Sequence, residues 1–355
     1  MDPREAPRPT TRSPRIVALG GGSGPSLIAR ALSEHVDRFT AVVSVADAGS
    51  STGVIREAFG LPAPGDIRAA VACLLRISDP GSPWADLLEH RFQPRGGGPL
   101  ANMALGNLIL TALASREGSF AGGLDELQRM LGCRGQVLPV TDDPVNLIAD
   151  LADGRVVHGE VAVRAPGKAS IRRLSLDAPC AGWEPALEAI RNADLLFIGP
   201  GNLFTSVLAC LVVPGVAEAI HDCRGERIYL PNTTSYPGQS DGMTALDHVE
   251  TVLDYLDGTP LHAVLFNDEH PASRVTQLYA AQGVRFIPVR PEELASLSAR
   301  GIRAIAAPLL EPAVTAPRRL HKLDTIRHDP GKLGRLLRQL YPIDATLRPA
   351  FGAVA

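Results

Sequence analysis

Four short runs combine glycine with hydroxyl, amide or acid side chains, and each follows an apolar run. They are GGGSG at 20–24, ADAGSSTG at 46–53, GPGNLFTS at 199–206 and NTTSYPGQSDG at 232–242. A glycine turn that opens a helix exposes free N–H groups and the positive end of the helix dipole, which suits an anion. Gly21, Gly22, Ser23 and Gly24 in the first run, and Gly199, Gly201 and Asn202 in the third, are candidate phosphate-binding positions. Thr205 and Ser206 would add hydroxyl donors in a first helical turn. The first run is not a dinucleotide fingerprint, because its sixth position is Pro25, and no GK[ST] marks a P-loop. What recommends a phosphorylated ligand is four such loops together.

The charged candidates each carry two readings. Asp47 is either a turn residue bonding its own backbone, or a Mg²⁺ ligand or acceptor for a substrate hydroxyl. Mg²⁺ commonly takes one or two carboxylates plus phosphate oxygens. Asp66, in PGDIR at 64–68, sits where a helix cap belongs if the helix starts at Ile67, or else contacts the ligand. Arg68 carries a guanidinium fork that fits a phosphate. Asn107, inside the apolar run ALGNLIL, is a buried amide that needs partners, either a loop carbonyl or the ligand. No GxSxG elbow or Ser/His/Asp spacing supports a nucleophile. The five cysteines form no CxxC pair and no zinc spacing with the nine histidines.

Elements must bring these loops together. RIVAL (15–19), TAVVSV (40–45), DLLFI (194–198), RIYLPN (227–232), AVLFND (263–268) and RFIPV (285–289) read as strands, separated by amphipathic or apolar helical patterns. That rhythm predicts an α/β fold: a doubly wound, mostly parallel, Rossmann-like sheet. In such a sheet the ligand lies beyond the carboxyl ends of the strands, where the four loops are. Shorter β-like runs predict a β-rich subdomain inserted at about 135–178. The expected organisation is a tail at 1–14 and a single domain over 15–345.

Composition narrows the function. A net charge of −3, with 45% apolar and 21% charged residues, argues against nucleic-acid binding by bulk electrostatics. The basic arm at 317–338 reads as a solvated helix face or an anion contact. Unpaired cysteines, and a Pro/Arg-rich start unlike a signal peptide, predict a cytoplasmic protein. No apolar run is long enough to predict a membrane span.

With these loops in hand, the sequence resembles the YvcK/CofD family of gluconeogenesis factors and 2-phospho-L-lactate transferases. LGGGSG, VADAGSSTGVIRE, LPAPGDIRAAV, HRF, PLANMALGNLIL, GPGNLFTS, NTTSYPGQSDG and IRHDPGKL occur in the family's order over about 15–340. The resemblance implies a modified nucleotide-binding α/β fold. On the YvcK side it implies a regulator of carbon metabolism and cell shape that binds UDP-sugars. On the CofD side it implies a Mg²⁺-dependent transferase of phosphorus-containing groups, with Asp47 as its acid. It places Gly21, Gly22, Ser23, Gly24, Asp47, Ser51, Gly65, Asp66, Arg68, Asn107, Gly199, Gly201, Thr205, Ser206 and Asn232 in the ligand cleft. Three departures stand out: Ala48 replaces a second acid, Met103 lies where the family carries a histidine motif, and Phe204 replaces a tyrosine. One acid is then left for a metal. The expected partner is a nucleotide-sugar or another phosphorylated small molecule, and a homodimer stays open.

Overall fold

The computed structural model describes residues 13–94, 97–98, 100–312, 326–341 and 343. Among these residues ten strands form two sheets: β1 (Ile16–Gly20), β2 (Phe39–Val43), β3 (Gln136–Pro139), β4 (Leu147–Leu151), β5 (Val156–His158), β6 (Ile171–Leu176), β7 (Leu195–Ile198), β8 (Glu226–Tyr229), β9 (Ala263–Asn267) and β10 (Arg303–Ala307). Seven of them make one sheet in the order β10-β9-β8-β7-β1-β2-β3, and every neighbouring pair in it is parallel. Helices cover both faces of such a sheet, so its central strands must be apolar throughout. Accordingly β1, β7 and β9 are buried along their whole length.

The order of strands fixes where a ligand fits. From β1 the chain moves outward to β2 on one side, and from β7 it moves outward to β8 on the other. β1 and β7 lie side by side, from Ile16 opposite Leu195 to Leu19 opposite Ile198. The chain leaving their carboxyl ends runs to opposite sides, which makes this the switch point, the place where an open α/β sheet commonly takes its ligand. Helices α1 (Ser23–Ala31), α2 (Ser50–Phe59) and α3 (Pro64–Ser78) begin beside it.

Several expectations need adjusting. The second sheet is antiparallel, in the order β5-β4-β6, and spans Leu147–Leu176. Within the span 135–178, Gln136–Pro139 instead pairs with β2 as the edge of the large sheet. The strand expected at 285–289 is not one: Phe286 makes only an isolated bridge to Thr234. Pro288 offers no N–H to a ladder. The strand missed by the sequence reading is β10. The tail call falls mostly on residues outside those described, as does 317–325 of the basic arm. The rest of that arm is not a solvated face throughout. The helix Pro330–Leu340 buries Leu333 and Leu337, and Arg338 donates to the Ala31 carbonyl at the end of α1 (3.4 Å). No single described helix is long and apolar enough to cross a membrane.

Candidate functional site

The turn after β1 comes into direct contact with the turn after β7. Gly24 lies so close to the Pro200 carbonyl that a Cβ there would overlap its oxygen. A methyl on Gly21 would stand 2.7 Å from Ser206 Oγ and 2.8 Å from Asp66 Oδ2, and one on Gly22 would stand 2.7 Å from the Asp66 carbonyl. The loops following β1 and β7 and the first turn of α3 therefore share one floor. A methyl on Gly65 would meet Thr52 Oγ1 at 2.6 Å and Asp47 Oδ2 at 3.1 Å, which joins the loop after β2 to the same place. Bare backbone at these contacts is what lets four segments meet.

The helices that start here are uncapped. Gly22 and Gly49 occupy the N-cap positions of α1 and α2, and as glycines they offer no side chain to cap those helices. Farther away, Ser119, Thr244 and Asp329 cap the helices Phe120–Leu131, Ala245–Tyr255 and Pro330–Leu340, whereas Trp84–Glu89, Leu105–Glu117, Glu184–Arg191, Val216–Asp222 and Ser273–Ala280 have no side-chain cap either, so a free N-terminus is not peculiar to this place. Uncapped N-termini keep donors and positive potential for a ligand.

The predicted residues divide into three groups. Gly21, Gly22, Asp66 and Ser206 meet at one contact, Gly24 touches the Pro200 carbonyl, Asp47 reaches Gly65, and Ser23 opens α1 exposed to solvent. Gly199 and Gly201 flank Pro200 in the β7 turn, and Gly199 adopts the left-handed φ of +75°. Asp47 satisfies its turn reading: its Oδ1 accepts from the Gly49 N–H (3.0 Å), while Oδ2 faces Gly65.

A second group has other work. Asp66 is not a cap. Pro64 starts α3 two residues earlier, Ala63 holds the cap position, and Asp66 lies in the first turn with its carboxylate toward Gly21. Asn202 is one: its Oδ1 accepts from the N–H groups of Phe204 (3.2 Å) and Thr205 (3.3 Å). That carboxamide oxygen and the Thr205 amide are thereby engaged with each other. Arg68 is buried and donates to the carbonyls of Leu88 and Gly65, each at 3.4 Å.

Asn232 forms the third. It lies three residues beyond β8, and it lines a cavity of about 10 Å³ with Thr233, Asn267, Ile287 and His328, where its buried Nδ2 finds no partner. Burial pushes the His328 imidazole down to about 4. A wider groove of about 320 Å³ lies at the opposite ends of the strands, among Arg15, Asp37, Arg38 and Gln136, and contains none of the glycine loops.

Three residues of the site were missed. Arg91 donates to Ser51 Oγ (3.3 Å) and to the Asn102 carbonyl (2.8 Å), and Asn107 Nδ2 donates to the same Ser51 oxygen (3.3 Å). Arg56 donates to the carbonyls of Asp47 (3.3 Å) and Val145 (2.6 Å), and burial lowers its pKa against the pull of Asp177, Asp47 and Glu160. Glu160, buried and paired with Arg164 (2.9 Å), puts Oε2 3.9 Å from where a methyl on Gly49 would be. The HRF run at 90–92 was a signal for Arg91. For Glu160 only the three-dimensional placement of the inserted sheet gives one.

A metal would rest on few protein ligands. Among the described residues no three His, Cys, Asp or Glu side chains cluster to hold one. Asp47 Oδ2 alone fits a Mg²⁺ coordinated mostly by ligand phosphates and water.

The chain matches the family model of 2-phospho-L-lactate transferase CofD over residues 16–310. It is 35% identical over 330 residues to the gluconeogenesis factor of Bacillus subtilis, covering 93% of this chain and 98% of that one. The gluconeogenesis factor of Halalkalibacterium halodurans is 32% identical over 327 residues, covering 92% and 96%. A crystal structure of a Bacillus halodurans protein superimposes with a TM-score of 0.79 at 32% identity, over 90% of this chain and 98% of its own. The chain thus belongs to the CofD family, and the relatives it matches along nearly their whole length are gluconeogenesis factors.

Proposed function

We propose that the chain binds a nucleotide-sugar of the UDP-sugar class in the crevice between β1 and β7, and acts as a regulator of carbon metabolism and cell shape without consuming its ligand. The observation that supports this most is the floor at Gly21, where Ser206 and Asp66 close in beneath uncapped helix N-termini. Backbone amides at 21–24 and the β7 turn would hold the diphosphate, with Ser206 donating to it. Asp66 and Asp47, being acceptors, would take hydroxyl or amide N–H groups of the sugar or base. The test is a melting screen of the full chain with UDP-sugars, GDP, NAD and Mg²⁺. A true ligand at about a hundred times its dissociation constant adds roughly 2.7 kcal/mol of stability. A raised melting temperature with UDP-sugars and an intact sugar afterwards is the expected result. No shift with any nucleotide rejects the reading.

The family model's description as a transferase favours a second reading, transfer of a phosphorus-containing group with Mg²⁺ at Asp47. The metal would neutralise charge on the leaving diphosphate. Asp47→Asn separates the two. In a transferase it lowers turnover far more than binding, whereas in a regulator it changes affinity modestly and there is no turnover to lose.

A further inference from the structure

Among the described residues the edge strands of the two sheets are β10, β3, β5 and β6. An open edge presents a row of unpaired N–H and C=O groups that another chain can take up. On β3 the Val140 N–H bonds the Val43 carbonyl of β2 (2.9 Å), so the alternate residues Val137 and Pro139 face outward. Gln128, buried on the helix Phe120–Leu131, stands in for a missing strand there. Its Nε2 donates to the Val137 carbonyl (3.0 Å), and its Oε1 accepts from the Val137 N–H (2.6 Å). Pro139 has no N–H to offer. On β6 the Tyr255 hydroxyl accepts from the Leu174 N–H (2.7 Å). β5 is only three residues long.

β10 has none of these protections. The Arg303 N–H bonds the His262 carbonyl (3.0 Å), and the Ala307 carbonyl accepts from the Asp268 N–H (3.1 Å). Arg303, Ile305 and Ala307 therefore face β9, while Ala304 and Ala306 face outward. The outward N–H and C=O groups of Ala304 and Ala306 meet no partner among the described residues. The strand runs on from Arg303 as Ala-Ile-Ala-Ala, partly exposed, with no proline, lysine or bulge. Its one charge is engaged elsewhere, since Arg303 pairs with Glu226 and lies over the Tyr341 ring, 5.5 Å from its centre.

We propose that β10 is a dimer interface, on which the β10 of a second copy of this chain pairs antiparallel about a two-fold axis at Ile305. The strand is complementary to itself in that register. Ala304 opposes the partner's Ala306, and Ala306 the partner's Ala304, so the outward groups of both residues bond one another. Ile305 faces its own copy in a non-hydrogen-bonded pair, where side chains come closest, and Arg303 faces the small Ala307. No like charges oppose each other. Such a contact uses the same patch on both copies and closes after two. β9 and β8 stand between the joint and β7, so the crevice stays uncovered and the dimer needs no ligand.

Sedimentation of the full chain and of three variants tests this. Ala306→Pro deletes an outward N–H but no bond to β9, and an edge strand accepts proline in that orientation. Wild type should sediment as a dimer, and Ala306→Pro as a monomer with an unchanged circular dichroism spectrum. Ile305→Cys should join to itself under mild oxidation, because Cα atoms in such a pair lie about 4.5 Å apart, within disulfide reach. Ala307→Cys, facing Arg303, should not. Peptide mass mapping separates the introduced link from links of the five native cysteines. A monomeric wild type, or a dimer that persists in folded Ala306→Pro, overturns the proposal. So does a dimer in which Ile305→Cys fails to join to itself or Ala307→Cys succeeds. If Ala306→Pro does not fold, the two cysteine variants decide alone.

Discussion

Two glycine-to-alanine changes three residues apart should fail in different ways. In Gly24→Ala the new methyl falls on the Pro200 carbonyl oxygen and within 2.9 Å of its carbon, both rigid backbone. Overpacking of this kind costs about 1–3 kcal/mol, and alanine in place of glycine inside a helix returns up to about 1 kcal/mol. The net expectation is a destabilisation of about 1–2 kcal/mol, with the β1 and β7 turns forced apart. In Gly21→Ala the obstacles are Ser206 Oγ and one Asp66 oxygen, ends of side chains that can rotate aside. Stability should then move by less than about 1 kcal/mol. The methyl still occupies the crevice floor, so affinity for a UDP-sugar should drop at least tenfold, about 1.4 kcal/mol. Urea unfolding measures the first quantity and calorimetric titration the second. A Gly24→Ala protein as stable as wild type would show that the two turns do not touch. Full ligand affinity in Gly21→Ala would show that no ligand approaches the floor.

His328 should make the fold acid-sensitive. Its folded pKa of about 4 lies below the ordinary 6.5, so the unfolded chain takes the proton more readily. That contribution is whole above the unfolded value and is lost as pH falls toward the folded one, by about 2 kcal/mol at about pH 5. Burial also lowers the pKa of His35, His248 and His262. The readout is therefore the difference in urea midpoints between wild type and His328→Asn at neutral and acid pH, and parallel pH slopes contradict the assignment. Asn202→Ala removes a cap bonded to Phe204 and Thr205, and should cost about 1 kcal/mol in the same unfolding assay. No stability change would mean that the cap is not formed.

The meeting of the loops after β1, β2 and β7 was legible because runs of glycine and small polar residues directly after apolar strands of a parallel sheet fall at the same end of it. Elements decided by tertiary placement were not. RAIAA at 303–307 is alanine-rich with weak strand propensity, and it becomes β10 because β9 offers a parallel partner from Ala263 to Asn267. RFIPV looks more strand-like, yet its proline cannot donate to a ladder. Asp66 was misplaced for a local reason, since Pro64 is pre-set for a first helical position and moves the helix start upstream. Asn202 looked like a ligand donor among glycines, and it shows that an amide at a helix start can serve the helix itself. Arg91 acts through Ser51, 40 residues away in sequence, a partnership that no local pattern encodes.

The inserted sheet follows the same logic. Arg56, on α2, donates at one end to the Asp47 carbonyl and at the other to that of Val145, at the root of the small sheet. From within the insertion, Glu160 comes up against Gly49, held there by Arg164. The loop that carries Asp47 is therefore held between the large sheet and the small one. Both attachments are to backbone or buried charge, which tolerate little displacement without leaving a buried polar group unsatisfied.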